Sequence, residues 1–206
     1  MLVQKNMLWD LVENLAELGR LRIEQCGLSR SWSLMAPPNS LNCEARRSLE
    51  NPGRFIKLSS TQLTELQNCL ELELESITLF EDALPALAPL RHHQIKIGVC
   101  SNLGGPYCSV ARDLLPGLDG YALSAEVGLM KPDPAMYQHI CTQLEVAPSQ
   151  LPESNAPHVL MIGDSRRCDA DGPRAAGLEG YHLDRSGAGR FSNLLEFVTG
   201  INISRG

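Results

Sequence analysis

No apolar run in this chain approaches the ~20 residues of a membrane-spanning helix; the longest are about five. A membrane protein is therefore not expected. A signal peptide is also lacking, because Lys5 and Asp10 interrupt the first ten residues and no sustained apolar stretch follows. Basic charge is in short supply. Eighteen Lys and Arg stand against 24 Asp and Glu, a net charge of -6. A broad nucleic-acid surface needs a basic field, so that partner is not expected. The seven cysteines include no CxxC pair, which argues against a structural zinc site or a redox pair. Free thiols in a reducing cytoplasm are the natural expectation. Internal repeats and low-complexity tracts are missing too.

What is present is an ordinary globular composition. Apolar residues make up 43% and charged residues 20% of 206 residues. That suffices for one large domain, or for a core domain carrying an insertion, and excludes disorder over most of the length.

Along the chain, Met7, Leu8, Leu11, Val12, Leu15, Leu18 and Leu21 recur at helical spacing, which predicts a helix over 7–23. Prolines, asparagines and serines over 28–54 read as loops with one short helix near 43–49. Helical patterns follow over 60–77 and from about Glu81 to just before His92-His93. After residue 93 the texture changes. Short apolar strands near 95–100, 121–124, 159–162 and 181–183 alternate with helical stretches, and polar or glycine residues follow each strand. This is the pattern of a parallel sheet covered by helices. The expected architecture is α/β: a Rossmann-like parallel sheet with an all-helical cap on its N-terminal side. The cap is assigned to 12–88. The core is assigned to 89–206, with 1–11 joining it if the first strand comes from there.

In open α/β sheets, ligands bind at the carboxyl ends of the strands. Two polar segments sit there. Ile97-Gly98-Val99-Cys100 runs into Ser101-Asn102, and Val159-Leu160-Met161-Ile162 runs into Gly163-Asp164-Ser165, with Asp169 shortly after. Between them stands Gly128-Leu129-Met130-Lys131-Pro132-Asp133-Pro134. Each segment has a plain structural reading. Ser101-Asn102 can be a turn and cap, Lys131 a solvated loop lysine, and Gly163-Asp164-Ser165 an ordinary N-cap. Asp169 and Asp171 fall in a helix's first turn, where the dipole favours acids anyway. Arg166-Arg167 read as a solvated face.

Taken in order, 30 residues from Ser101 to Lys131 and 33 from Lys131 to Asp164, these segments resemble three motifs of the haloacid dehalogenase-like hydrolase superfamily. The resemblance covers roughly residues 79 to 198. It implies an enzyme that uses an aspartate carboxylate as nucleophile and forms a covalent aspartyl intermediate. It implies that Ser101, with Asn102, holds a phosphoryl oxygen, and that Lys131 balances the nucleophile and the developing charge. Asp164 would hold Mg²⁺, with Asp169 as a metal-side or outer carboxylate. The implied substrate is a small phosphorylated or otherwise anionic molecule. The implied activity is that of a phosphatase, with a dehalogenase as a minor branch.

The superfamily's first motif, a buried strand ending in Asp-x-Asp-Gly-Thr, has no clean match. Before Ser101 the only aspartates are Asp10 and Asp82, and Asp82 opens a helix just upstream of the second-motif strand. Asp10 is thus the one candidate nucleophile. Around it, Val12 replaces the acid/base aspartate, Glu13 the glycine and Asn14 the threonine. The 91 residues from Asp10 to Ser101 suit an inserted helical cap. The helical periodicity through Asp10 favours the competing reading, in which Asp10 is a solvated charge on a cap helix. On that reading the middle of the sheet lacks a strand, leaving unpaired backbone groups that are costly when buried. Either Met1-Leu2-Val3 fills the gap, or the chain is truncated or catalytically impaired.

Overall fold

A computed structural model describes residues 5–9, 59–148 and 158–201. Five strands form one sheet: β1 (Lys5–Trp9), β2 (Ile97–Ser101), β3 (Gly120–Leu123), β4 (His158–Gly163) and β5 (Glu179–His182). Their spatial order is β3-β2-β1-β4-β5 and every pairing is parallel. The helices are α1 (Ser60–Ser76), α2 (Ala83–His92), α3 (Gly105–Leu114), α4 (Ser124–Val127), α5 (Pro134–Gln143), α6 (Gly172–Ala175) and α7 (Leu194–Gly200). A π-helical segment, Arg166–Asp171, precedes α6. The alternation expected after residue 93 is the alternation found. Among the described residues, no helix is long and apolar enough to cross a membrane.

The helix expected over 7–23 is corrected at its start. Residues 5–9 form the central strand, with Met7 paired to both Ile97 and Leu160. The reason is physical. A central parallel strand is covered on both faces and needs a continuous apolar run, and Met7-Leu8-Trp9 satisfies strand and helix periodicity alike. The gap foreseen between the second- and fourth-motif strands is filled by Lys5–Trp9; Met1-Leu2-Val3 lie outside the described residues. Residues 10–23, the loops over 28–54 and the short helix near 43–49 lie outside the described residues.

Each face of the sheet is closed by its own apolar cluster. Val99, Leu160 and Ile162 pack in one with Ala86, Leu87 and Leu90 of α2, Ala111 of α3 and Phe197 of α7. Cys100, Val159 and Met161 pack in the other with Met136, Tyr137 and Ile140 of α5. Neighbouring residues of one strand thus point to opposite clusters, as the pleat requires. Most of the segment assigned to the cap, 12–88, lies outside the described residues. Of the described part, α1 meets α3, where the Tyr107 hydroxyl donates to Glu73 Oε1 at 2.7 Å. The α2 helix joins the core cluster, and Asp82 at its start accepts from Arg185 at 3.2 Å and from the Leu194 N–H at 2.7 Å.

Candidate active site at the carboxyl ends of the central strands

The register of the three middle strands sets the site. Trp9, the last residue of β1, lies beside Val99 of β2 and Ile162 of β4. Ser101 and Asp164 each follow two residues later, so they stand level with each other on either side of the line of β1. Asp10 comes next after β1 in the sequence and lies outside the described residues.

Ser101 is fully buried at the end of β2. Its Oγ has no hydrogen-bond partner among the described residues, and the same is true of Asp164 Oδ1. A buried polar atom without a partner costs on the order of 1–3 kcal/mol, so these two oxygens are the candidates to meet a ligand. The Asp164 backbone is fixed from outside: His182, at the end of β5, donates from Nε2 to the Asp164 carbonyl at 2.9 Å.

Asn102 has a contact of its own that the sequence does not announce. Its carboxamide clamps the backbone of Lys131, accepting from the Lys131 N–H at 2.8 Å and donating to the Lys131 carbonyl at 3.0 Å. A side-chain amide carries both a donor and an acceptor, so it can stand in for a strand neighbour across two loops. The loop it catches leaves α4 through Gly128, whose φ of 73° is the left-handed conformation that ends helices. The loop then enters α5 at Asp133, whose side chain caps the helix by accepting from the Ala135 N–H at 2.9 Å.

Lys131 is fully buried, and its Nζ lies 2.7 Å from Asp169 Oδ1, also fully buried. The other carboxylate oxygen, Oδ2, accepts from the Ser165 N–H at 2.9 Å. Asp169 therefore uses one oxygen to hold the lysine and the other to hold the turn that follows Asp164. The solvated-lysine reading of Lys131 and the dipole reading of Asp169 are both excluded by this burial. Arg166 and Arg167 are exposed, as expected.

The N-cap expected within Gly163-Asp164-Ser165 falls on Ser165, while Tyr137 was not legible in the sequence. Ser165 caps the π-helical segment, its Oγ accepting from the Cys168 N–H at 3.3 Å. Tyr137 of α5 is fully buried and donates its hydroxyl to the Cys168 carbonyl at 2.6 Å. Burial raises the Tyr137 pKa far above the ordinary phenol value, so the hydroxyl stays a donor. The signal for Tyr137 was a tyrosine inside an apolar helix, a placement that usually requires a polar partner.

The donor set suits a hard cation in part. Asp164 offers a buried carboxylate oxygen, unpartnered among the described residues, of the kind Mg²⁺ takes. Among the described residues, no three His, Cys, Asp or Glu side chains converge as a metal cluster. Any further carboxylate must come from outside them, where Asp10 stands.

The sequence model of the haloacid dehalogenase-like hydrolase family matches residues 38–177. No curated protein matches the chain. Among solved structures, the chain is similar to a HAD phosphatase from Thermococcus onnurineus, at 18% identity and a TM-score of 0.64 over 98% of this chain and 100% of that one. It is similar to a HAD-hydrolase from Bacillus subtilis bound to magnesium, at 18% identity and 0.63 over 97% and 99%. An L-2-haloacid dehalogenase matches at 20% identity and 0.61 over 96% and 99%. At these identities the structural likeness speaks for the fold.

Proposed function

The chain belongs to the haloacid dehalogenase-like hydrolases, and from that premise we propose that it is a Mg²⁺-dependent phosphatase acting on a small phosphorylated metabolite. One observation carries the reading. Two buried oxygens without a partner among the described residues, Ser101 Oγ and Asp164 Oδ1, flank the end of the central strand at one level. Lys131 is tied to the residue after one and to the turn after the other. A phosphoryl group brings both a charged oxygen for a hydroxyl and an affinity for a divalent cation.

In this reading Asp10 is the nucleophile. Its carboxylate oxygen bonds to phosphorus while the ester P–O bond breaks, and the electron pair leaves with the alcohol oxygen. Water then attacks phosphorus, releases inorganic phosphate and restores the carboxylate. Ser101 donates its hydroxyl to a phosphoryl oxygen. Lys131 balances the carboxylate and the charge that develops, without reorganising, because Asp169 and Asn102 already fix it. Asp164 and Asp10 would hold Mg²⁺, which when bound supplies neutralisation of the phosphoryl oxygens. Asp169, with both oxygens engaged, acts on any cation only from outside its ligand shell. A cytoplasmic setting belongs to this reading, on the unpaired spacing of the cysteines.

Val12 stands where the resemblance expects a general acid. The leaving oxygen then departs without a carboxyl proton, which favours esters of acidic alcohols, since general acid catalysis is worth about 10²–10⁴-fold. The test is phosphate release from p-nitrophenyl phosphate and a panel of alkyl phosphates, with Mg²⁺ and with chelator. Release that stops with chelator and is fastest for the aryl ester supports the reading. A well-folded protein that releases nothing across the panel sinks it. Val12 also favours a second reading, a dehalogenase, whose chemistry needs no acid at that position. Halide release from a 2-haloacid would select it.

A further inference from the structure

We propose that Tyr137 is a positioning residue: through the carbonyl of Cys168 it sets the π-helical turn that aims Asp169 at Lys131. The proposal rests on the reading of Lys131 and Asp169 as parts of the active site. In a π-helical turn the carbonyl of residue i accepts from the N–H of residue i+5. The Arg167 carbonyl does so, accepting from the Gly172 N–H. The next carbonyl, that of Cys168, would look to residue 173, which is proline and has no N–H to give. The Tyr137 hydroxyl donates there instead, at 2.6 Å.

Space for that hydroxyl is made by the neighbouring residue. A Cβ on Gly172 would collide with Tyr137 Oη and stand 2.9 Å from Pro132 Cβ. Gly172 admits the hydroxyl, Pro173 removes the competing donor, and Tyr137 completes the turn. The same α5 helix begins three residues after Lys131. One rigid element therefore fixes both partners of the ion pair: the loop carrying the lysine at its N-terminus, and the turn carrying the carboxylate through its fourth residue. Displacing a catalytic group by about 1 Å can cost on the order of 10²-fold in rate, so the bond bears on turnover and not only on stability.

The experiment uses Tyr137→Phe, which keeps the ring and removes the donor. With p-nitrophenyl phosphate and Mg²⁺, kcat should fall about tenfold at unchanged KM. Added to Asp169→Asn, the same change should lower kcat by less than about twofold, because the pair it serves is already broken. An unchanged kcat, or an equal loss in both backgrounds, overturns the proposal. Amide hydrogen exchange reads the same claim without turnover, and so separates it from the phosphatase reading. In Tyr137→Phe, residues 165–171 should exchange at least about tenfold faster while β3 keeps its protection. Equal protection of 165–171 in both proteins overturns it.

Discussion

Lys131 and Asp169 meet at 2.7 Å with both side chains fully buried, 38 residues apart in the sequence. A buried ion pair is costly to desolvate and survives only where its remaining hydrogen-bonding capacity is met. Here the carboxylate's second oxygen takes the Ser165 N–H, and the lysine's backbone is held by Asn102. The pair joins the loop before α5 to the turn after β4, and it lies where the sheet presents Ser101 and Asp164.

Replacing Lys131 by methionine keeps the bulk and leaves the Asp169 carboxylate buried without its cation. Removing one partner of a buried pair costs about 3–5 kcal/mol. Urea unfolding should show a loss in that range. Turnover of p-nitrophenyl phosphate should fall at least about 10²-fold at temperatures where the variant is folded.

Asn102→Ala removes two hydrogen bonds to the Lys131 backbone. At roughly 1 kcal/mol each, the expected loss of stability is about 2 kcal/mol, with Asn102→Asp losing the donor but keeping the acceptor. The chemical denaturation midpoint checks the stability, and kcat should fall more than KM rises. A large rise in KM with kcat intact would instead place Asn102 on the substrate.

The pH dependence is signed by groups that hold protons more tightly when folded. Burial pushes the Cys141 thiol up to about 11. Burial, then the hydrogen bond to Glu179, pushes the Tyr181 phenol up to about 12. Burial and the bond to Glu73 raise Tyr107 further still. For each, the stabilisation is complete below the unfolded-state pKa and is lost as pH rises through the folded one. The urea midpoint should therefore decline from about pH 9 upward, reaching past pH 12. Cys141 should also resist thiol reagents at pH 8 in the native state.

Gly180 of β5 lies against the π-helical segment. A Cβ there would collide with the Ala170 carbonyl oxygen and stand 2.8 Å from its carbon, both backbone atoms that cannot swing away. Gly180→Ala should destabilise by about 1–3 kcal/mol, read as a lower thermal midpoint by circular dichroism.

Much of this fold is written locally. The strands ending at Ser101 and Gly163 are short apolar runs stopped by polar residues, and Gly128 and Asp133 punctuate the loop that carries Lys131. Helical periodicity conceals β1, because Met7-Leu8-Trp9 continues into Leu11, Val12 and Leu15. Only the pairing with β2 and β4 decides between strand and helix there. The identities of Ser101, Lys131, Asp164 and Asp169 were visible as motif residues, but their partners were not. Asn102 reaches its partner across 29 residues and Tyr137 across 31, through contacts that no local periodicity encodes. The π-helical turn was hidden as well, because acids at a helix start already have an explanation in the dipole.

On the phosphatase reading, Asp10 takes the phosphoryl group that Ser101 and Lys131 hold. The most direct test of that step is an acid-quenched reaction with p-nitrophenyl phosphate and Mg²⁺, followed by peptide mass analysis. The expected product is a peptide containing Asp10 that carries one added phosphoryl group, lost on hydroxylamine treatment and never formed in Asp10→Asn. Turnover with the phosphoryl group on another residue, or undiminished turnover by Asp10→Asn, would contradict it.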